Sequence, residues 1–324
     1  MGLGEFERID RYFRPLARAT PGALGLADDA ALLDPGEGRD LVVTTDAMVE
    51  TIHYLADEDP GRVAQKLLRS NLSDLAAKGA TPLAYTLTTA LPSQPDERWI
   101  EGFVAGLAAD QALYGIGLLG GDSVRTPGLS MLSVTAFGTV PQGAMLRRAG
   151  ARPGDDLYVS GMLGDAALGL RVILGQIPGL AREAAEALAL RHRVPQPRMA
   201  LGRALLGLAH AAMDVSDGLP GDLPHLCEAS GVAAEVELAL LPQSEAARAA
   251  IALDPALQAI AWGGGEDYEL LFTAPISVRD VIEAAAAEAG TPVVRIGRIV
   301  AGQGVRLLDP AGQPVESLTG WRHF

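Results

Sequence analysis

The sequence predicts a two-domain protein of the α/β or α+β class, and three observations support this prediction. At 324 residues, the chain is longer than one hydrophobic core comfortably holds. Short apolar runs of strand length alternate with helix-period patterns through both halves. Residues 147–155, which include Pro153-Gly154-Asp155, are typical of a junction between domains. We therefore expect an N-terminal domain over residues 1–145 and a C-terminal domain over residues 146–324.

Helix and strand signals follow each other in the first half of the chain. The apolar residues between Phe6 and Leu16 have the spacing of one helix face, and Asp59-Pro60 is typical of an N-cap followed by proline in the first helical turn. The predicted elements are helix 6–16, strand 41–46, helix 60–79, strand 82–91, helix 96–114, a short strand 118–119 with a tight turn at 120–122, and strand 129–140.

The second half continues the alternation. The predicted elements are strand 157–160, helices 181–193 and 198–211, a strand end at 213–217, helix 219–230, strands 233–238 and 268–273, helix 278–289 and strand 293–299. A glycine-rich turn at residues 161–165 precedes an Ala/Leu-rich helix. Its backbone N–H groups could hold a phosphate, but close strand-to-helix packing explains the glycines equally well and is slightly favoured.

Composition excludes several classes of protein. The net charge of −14 argues against non-specific nucleic-acid binding, which needs clustered Lys and Arg. Cys227 is the only cysteine, so neither an intramolecular disulfide nor a thiolate zinc site can form. The sequence shows no signal-peptide pattern and no apolar run of membrane-spanning length. We expect a cytoplasmic protein without a membrane partner.

Familiar nucleotide and zinc motifs are absent or misplaced. Residues 115–120 match GxGxxG in letters, but they follow a predicted helix and lead into a strand, whereas the dinucleotide fingerprint follows a strand and opens a helix. Lys78 is followed by glycine, so there is no Walker A motif, and the five histidines form no HExxH signature.

A dispersed set of carboxylates is the strongest chemical signal. The apolar run that begins at Leu41 ends in Thr44-Thr45-Asp46, and ligands collect at the carboxyl ends of strands in open α/β sheets. Such hard oxygen donors suit Mg²⁺, and gathering many like charges would be costly without cations. The set comprises Asp28, Asp29, Asp46, Asp74, Asp122, Asp214 and Asp217. Helix capping explains Asp28, Asp165 and Asp267 equally well, whereas metal binding is favoured for Asp46, Asp74 and Asp122.

The ordered motifs of the chain resemble those of the thiamine-monophosphate kinase family. They are Asp28-Asp29-Ala30-Ala31, Thr44-Thr45-Asp46 with His53, Asn71-Leu72-Ser73-Asp74, Gly120-Gly121-Asp122, Arg148 with Pro153-Gly154-Asp155, Asp214-Val215-Ser216-Asp217-Gly218, Gly264-Gly265-Glu266-Asp267-Tyr268, and Trp321-Arg322-His323-Phe324. Two positions depart from the family pattern. Ala27 stands where glycine is usual, and Trp321 stands where tyrosine or phenylalanine is usual, which affects the shape of the substrate pocket.

The resemblance implies a two-domain fold like that of aminoimidazole ribonucleotide synthetase, in a homodimer whose N-terminal sheets join into a barrel. It implies ATP-dependent phosphorylation of thiamine monophosphate, with ATP and several Mg²⁺ ions in the cleft between the domains. The implied metal ligands are Asp29, Thr44, Thr45, Asp46, Asp74, Asp122, Asp214 and Asp217. The implied ATP contacts are Gly121, Asp122, Arg148, Ser216 and Tyr114. The implied substrate contacts are His53, Glu266 and Trp321. No residue is expected to act as a general acid or base, and Asp46, Asp122 and Asp217 are expected to matter most.

Two kinds of alternative stay open at this point. Among sister enzymes, selenophosphate synthetase would need a reactive Cys or selenocysteine near the N-terminus, and the related hydrogenase-maturation protein a C-terminal cysteine; neither residue is present. Aminoimidazole ribonucleotide synthetase fits Glu266 less well. The other alternative is a non-catalytic module that binds ATP or a divalent cation. It would need the acids but not His53, Glu266 and Trp321.

Overall fold

Two β-sheets, one of four strands and one of six, organise the chain. The computed structural model describes residues 5–28, 30–92, 96–309 and 311–315. Each sheet belongs to one of two compact units. Unit 1 comprises Met1–Leu75 with Ala80–Gly143, and unit 2 comprises Ala76–Gly79 with Ala144–Phe324. The predicted α/β class with two domains is confirmed.

Unit 1 is built on a mixed sheet with the strand order β1-β4-β2-β3. The neighbours β1 and β4, and β4 and β2, are antiparallel, whereas β2 and β3 are parallel. Its elements are α1 (Glu5–Arg8), a π-helical turn (Ile9–Phe13), α2 (Arg14–Ala17), a 3₁₀ segment (Pro21–Leu26), β1 (Arg39–Val49), α3 (Pro60–Ala77), β2 (Thr81–Leu91), α4 (Glu97–Tyr114), β3 (Gly117–Arg125) and β4 (Met131–Pro141).

The long helices of unit 1 form where the sequence predicts them. In α4, the Asp96 side chain caps the first turn by accepting a hydrogen bond from Arg98 N, and Gly115 ends the helix with φ +67°. Alternation along β1 turns Val42 and Met48 inward, where both are buried, and leaves the residues between them more exposed. One face of the sheet is therefore a core face, and the other is an outer face.

Two strand predictions in unit 1 are wrong in a way that affects the site. The first strand does not stop at Asp46 but continues to Val49, so Asp46 lies inside β1. The predicted turn at residues 120–122 is part of β3, which runs from Gly117 to Arg125. A β-bulge at this point shifts the pairing from Tyr85↔Leu118 to Thr86↔Gly120. The glycines allow this bulge and do not make a turn.

Unit 2 contains the second sheet, with the strand order β10-β7-β9-β5-β8-β6. Its elements are β5 (Asp156–Ser160), α5 (Asp165–Ile173), α6 (Arg182–Arg193), α7 (Met199–Ala204), β6 (Ala211–Val215), α8 (Leu219–Ser230), β7 (Ala233–Glu237), a 3₁₀ turn (Leu238–Leu240), α9 (Glu245–Leu253), α10 (Leu257–Gly263), β8 (Glu269–Ala274), a 3₁₀ turn (Ile276–Val278), α11 (Arg279–Glu288), β9 (Val293–Val300) and β10 (Gly304–Leu308).

The strands β5, β6 and β8 of unit 2 are buried along their whole length, which agrees with their short apolar runs. The predicted helix 198–211 is too long: α7 ends at Ala204, Gly207 has φ +76°, and Ala211 already belongs to β6.

Cys227 is buried in the apolar core, where burial raises the pKa of its thiol to about 11. Among the helices in the described part of the chain, none has the length and apolarity needed to cross a membrane.

Candidate active site

Three side chains of unit 1 form an acidic cluster on the core face of the sheet, and we call Thr44, Asp46 and Asp74 the unit 1 cluster. Thr44 and Asp46 project from the same face of β1 because they are two residues apart. Asp74 reaches them from α3, and the Thr44 hydroxyl donates a hydrogen bond of 2.5 Å to Asp74 Oδ2. The structure therefore brings together three of the predicted metal ligands.

The carboxylates of the unit 1 cluster repel each other. Burial raises the pKa of Asp46 to about 6, the negative charge of Asp74 raises it as well, and a hydrogen bond from Ser70 opposes both effects. A cation bound between the two side chains would remove this repulsion. The donors are hard oxygens, the chemistry that Mg²⁺ prefers.

Thr45 and Asp122 lie on the outer face of the same sheet. The Thr45 hydroxyl donates to Val134 O at 3.1 Å and accepts from Thr135 Oγ1 at 3.1 Å. Asp122 is exposed and accepts a hydrogen bond from the backbone N–H of Ser123. Within unit 1, the structure does not bring these two side chains to the unit 1 cluster.

The sheet register explains the distance between Asp46 and the Gly-Gly-Asp motif. Asp46 pairs with Val134, Val134 with Leu87, and Leu87 with Gly121. Asp46 and Gly121 therefore occupy one row across the sheet, separated by three strand spacings, or roughly 14 Å. Gly121 has to be glycine, because a Cβ atom would lie 1.9 Å from Leu87 O. Asp122 is the next residue, so its side chain points to the opposite face.

His53 follows β1 in a turn that fixes its imidazole. Its Nδ1 accepts a hydrogen bond of 3.0 Å from Val49 N, which leaves the proton of the neutral ring on Nε2. The buried Lys66 donates from Nζ to the carbonyl of His53 at 3.1 Å. The ring therefore presents an N–H donor, which suits an anionic group.

Tyr114, a predicted ATP contact, lies at the C-terminal end of α4 beside a buried ion pair. The Arg69 guanidinium stacks 5.4 Å from the centre of its ring and makes two hydrogen bonds of 2.8 Å to Asp110. These contacts give Tyr114 a packing role. Its contact with a nucleotide stays a prediction.

A second acidic cluster lies in unit 2, and we call Asp214, Asp217 and Asp222 the unit 2 cluster. Asp214 is buried near the end of β6, Asp217 lies in the following loop, and Asp222 lies in the first turn of α8. Oδ2 of Asp222 accepts hydrogen bonds of 2.9 Å from the backbone N–H groups of both Ser216 and Asp217. The pKa of Asp222 is raised to about 8, mainly by burial and in addition by the charges of Asp214 and Asp217, while these two hydrogen bonds lower it.

Sequence reasoning did not identify Asp222. It is the only acid of the unit 2 cluster outside the Asp214–Asp217 motif, five residues after Asp217. The available signal was weak: Pro220 in the first turn marks the start of α8, and acids are common in a first helical turn. Nothing in that pattern shows that the carboxylate turns back to the preceding loop.

Glu266, a predicted substrate contact, is held next to the unit 2 cluster in an unusual backbone conformation. Its φ is +68° and that of Tyr268 is +52°, both in the left-handed region. Glu266 N donates to Ser216 O at 2.7 Å, and Tyr268 N donates to Val215 O at 2.9 Å. The Glu266 carboxylate lies 3.0 Å from Nδ1 of His192. The structure thus brings Ser216, Asp217 and Glu266 together.

The acids that follow Glu266 support the fold of unit 2. Asp267 accepts hydrogen bonds from the N–H groups of Gly164 and Ala166, at 2.6 and 3.1 Å, so these groups at the start of α5 are already paired inside the protein. The buried Glu269 accepts from Arg191, at 3.0 Å, and from Arg198. This agrees with the packing explanation for the glycine-rich turn and with a capping role for Asp267.

Three further predicted site residues remain to be placed. Arg148 is exposed in the segment before β5, and its carbonyl accepts a hydrogen bond from the Ser230 hydroxyl at 3.1 Å. Asp29 and Trp321 lie outside the described residues. Within the described ranges, no three acidic, histidine or cysteine side chains form a complete metal cage.

The two-unit α/β fold is that of the AIR synthase class. Residues 27–140 match the family described as AIR synthase related protein, N-terminal domain, and residues 152–309 match the corresponding C-terminal domain. The thiamine-monophosphate kinase of Caulobacter vibrioides is 44% identical over 322 residues, which cover 98% of this chain and 90% of that protein. The chain therefore belongs to the thiamine-monophosphate kinase family.

Solved structures agree with this assignment. The thiamine-monophosphate kinase of Stenotrophomonas maltophilia K279a superposes with a TM-score of 0.85 at 44% identity, covering 97% of this chain and 99% of that chain. AaThiL complexed with AMPPCP and TMP superposes with a TM-score of 0.79 at 31% identity, covering 100% of this chain and 99% of that chain. The similarity covers both units, so the predicted fold and enzyme family are confirmed.

Proposed function

We propose that this protein transfers the γ-phosphoryl group of ATP to the phosphate of thiamine monophosphate, giving thiamine diphosphate and ADP. The observation that carries the proposal is the full-length similarity to AaThiL, which is complexed with AMPPCP, an ATP analogue, and with TMP. The acidic clusters supply the chemical reason, because polyphosphate binding by carboxylate-rich sites requires cations between the two sets of negative charge.

The donor chemistry of both clusters fits Mg²⁺. We assign to it Thr44, Asp46 and Asp74 in unit 1 and Asp214 and Asp217 in unit 2, and from the family resemblance also Asp29 and Asp122. The resemblance names Thr45 as well, but we do not assign its hydroxyl, because it is hydrogen-bonded to Val134 O and Thr135 on the outer face. When bound, Mg²⁺ neutralises phosphate charge and holds the reacting oxygens in line. Burial and the negative charge of Asp74 raise the pKa of Asp46, and a bound cation would offset both effects.

The reaction needs positioning more than acid–base catalysis. The acceptor phosphate is already an anionic nucleophile, so transfer can be direct and in line, without a phosphoenzyme or a strong general base. We assign nucleotide contacts to Gly121, Asp122, Arg148, Ser216 and Tyr114. The Arg148 guanidinium would add a fixed positive charge on phosphate oxygens.

The acceptor contacts follow from the charges of thiamine monophosphate. We assign His53 to its phosphate: Nδ1 accepts from Val49 N, so the N–H donor of the neutral ring is on Nε2. Glu266 supplies a carboxylate for the cationic ring system, and Trp321 supplies an aromatic face on which such a ring can stack.

We assign metal and ATP binding with dimerisation to the N-terminal domain, and closure of the site to the C-terminal domain.

We also propose a homodimer formed through the outer face of the unit 1 sheet. This face carries large apolar side chains that are unusually exposed, with Val43 at 54% and Leu41 at 40%. Pairing two such faces would give the barrel that the family resemblance implies. A sedimentation measurement tests this: a dimer is expected, and it should dissociate in Val43→Lys. The cytoplasmic location stays a prediction from the sequence.

A product assay tests the proposed reaction. Purified protein with Mg²⁺, ATP and thiamine monophosphate should form thiamine diphosphate and ADP in equal amounts, and free thiamine should give no product. ADP without thiamine diphosphate would indicate another acceptor substrate. Tight binding of ATP and Mg²⁺ with no turnover would instead support a non-catalytic nucleotide sensor.

A further inference from the structure

We propose that Asp222 is a positioning residue that holds the nucleotide-side loop (residues 214–218) and the acceptor-side loop (residues 263–268) of unit 2 in one fixed arrangement. The proposal rests on the proposed function for the roles of these two loops. Its structural content is independent of any ligand, because it concerns hydrogen bonds within unit 2.

The first observation is the geometry around the Asp222 carboxylate. A single oxygen, Oδ2, accepts the backbone N–H groups of Ser216 and Asp217 at 2.9 Å each. Asp222 is only 4% exposed, and Asp214 and Asp217 are close enough to disfavour its negative charge. Burying a third carboxylate beside two others is costly unless it satisfies groups that would otherwise be unpaired. The two loop N–H groups are such groups.

The second observation is that the peptide groups of Ser216 connect the two loops. The N–H of Ser216 donates to Asp222, and its carbonyl accepts from Glu266 N at 2.7 Å. The loops also pack too closely for a side chain at the contact, since a Cβ at Gly265 would lie 2.1 Å from Ser216 O. A shift of Ser216 would therefore move both Asp217 and Glu266.

This arrangement predicts an effect on both substrates at once. Without the acceptor oxygen, the nucleotide-side loop loses two hydrogen bonds, and the strained backbone of Glu266 loses a fixed partner. Misplacement of reacting groups by about 1 Å can lower a rate by roughly 10²-fold. An asparagine at this position can still accept both N–H groups with its single carbonyl oxygen, whereas alanine cannot.

The test compares Asp222→Ala with Asp222→Asn. In Asp222→Ala, we expect KM for both ATP and thiamine monophosphate to rise about tenfold or more and kcat to fall, whereas Asp222→Asn should stay within about threefold of the unmodified protein. Asp155→Ala is the matched control. Asp155 is also a buried carboxylate of unit 2, and it accepts from Arg152 N at 2.8 Å and contacts His210. Its loss should lower stability without changing either KM.

Hydrogen exchange gives a readout that needs no activity. The amide protons of Ser216, Asp217 and Glu266 should be protected in the unmodified protein, exchange at least about tenfold faster in Asp222→Ala, and recover protection in Asp222→Asn. Unchanged exchange and unchanged KM values in Asp222→Ala would overturn the proposal. So would an Asp222→Asn protein as impaired as Asp222→Ala, since the charge rather than the acceptor oxygen would then matter.

Two further results separate this proposal from the proposed function. If the unmodified protein makes no thiamine diphosphate, the proposed function fails, while the exchange pattern still decides the role of Asp222. If Asp222→Ala does not fold, Gly265→Ala displaces the same Ser216 peptide from the opposite side. It should raise both KM values and the exchange rate of Glu266; unmodified values for all three would overturn the coupling between the loops.

Discussion

In unit 1 the clustered carboxylates stand on regular secondary structure, whereas in unit 2 they stand on a strand end, a loop and a helix start. Asp46 and Asp74 project from β1 and α3, and one threonine hydroxyl links the strand to the helix. Asp214 stands near the end of β6, and Asp217 depends on a buried carboxylate, Asp222, which fixes the loop through its backbone N–H groups. The same type of donor set is thus held by side-chain alternation in one unit and by loop hydrogen bonds in the other.

The difference matters for how each cluster responds to change. A strand and a helix that pack together keep their side chains in place when one polar contact is lost, because backbone hydrogen bonds and apolar packing hold both elements. A loop has fewer backbone hydrogen bonds and less apolar packing to hold it when one contact is lost. We therefore expect the unit 1 cluster to tolerate loss of a supporting contact better than the unit 2 cluster, and both to be intolerant of losing a metal ligand.

The largest expected effect is on turnover when the unit 1 cluster loses a ligand. Asp46→Ala should lower kcat/KM roughly 10³-fold, because charge stabilisation at the reacting phosphates is lost, while the far-UV spectrum stays unchanged. Asp122→Ala should lower kcat/KM to a similar extent if Asp122 is also a metal ligand. The control is Asp34→Ala, which removes an exposed acid that accepts a hydrogen bond from Gly36 N. Full activity in Asp46→Ala would disprove the metal assignment.

A second prediction compares the buried ion pairs that support the two units. Glu269→Gln removes the negative charge that pairs with Arg191 and Arg198. Asp110→Asn removes the negative charge that pairs with Arg69. Each should lower the free energy of unfolding by about 3–5 kcal/mol, because a buried guanidinium loses its counter-charge. Urea titration measures this. Only Glu269→Gln should also raise KM for thiamine monophosphate, since Arg191 also donates to Asp267 O in the acceptor-side loop. Equal KM values in both variants would contradict the comparison.

What the sequence could predict follows the same division. The apolar patterns correctly predicted α3, α4, α8 and the central strands, because periodicity reflects which face is buried. Thr44, Asp46 and Asp74 could be predicted as metal ligands from the sequence because they adjoin such patterns. The extent of β1 and the bulge in β3 could not be predicted, since Asp46 and Gly120 read as strand-ending residues unless the partner strands are known.

The loop-built cluster shows where sequence reasoning stops. Asp222 binds N–H groups of the preceding loop, and Glu266 binds the carbonyl of a residue fifty positions earlier. Neither contact has a sequence pattern of its own, because both depend on how β6, α8 and β8 are arranged in unit 2. The family resemblance identified Glu266 as a site residue, whereas the sequence reasoning did not identify Asp222.

A third prediction uses Mg²⁺ to measure the repulsion in unit 1. At pH 8 without Mg²⁺, Asp46→Asn should raise the thermal midpoint, because one of two mutually repelling carboxylates is removed. Mg²⁺ at about 100 times its Kd should stabilise the unmodified protein by about 2.7 kcal/mol, and this gain should shrink in Asp46→Asn. Differential scanning calorimetry with and without Mg²⁺ measures both quantities. A lower midpoint without Mg²⁺ would show that Asp46 is already compensated by the protein.

The smallest expected effect compares two neighbours that face opposite sides of β1. Thr44 donates to Asp74 on the core face, whereas Thr45 contacts Val134 O and Thr135 on the outer face. Valine keeps the shape of threonine but removes the hydroxyl, so Thr44→Val should lower kcat/KM roughly tenfold through a misplaced carboxylate, and Thr45→Val should change it by less than about threefold. Steady-state kinetics at saturating Mg²⁺ separates the two. An equal loss in both variants would mean that the Thr45 hydroxyl is also a ligand of the metal site.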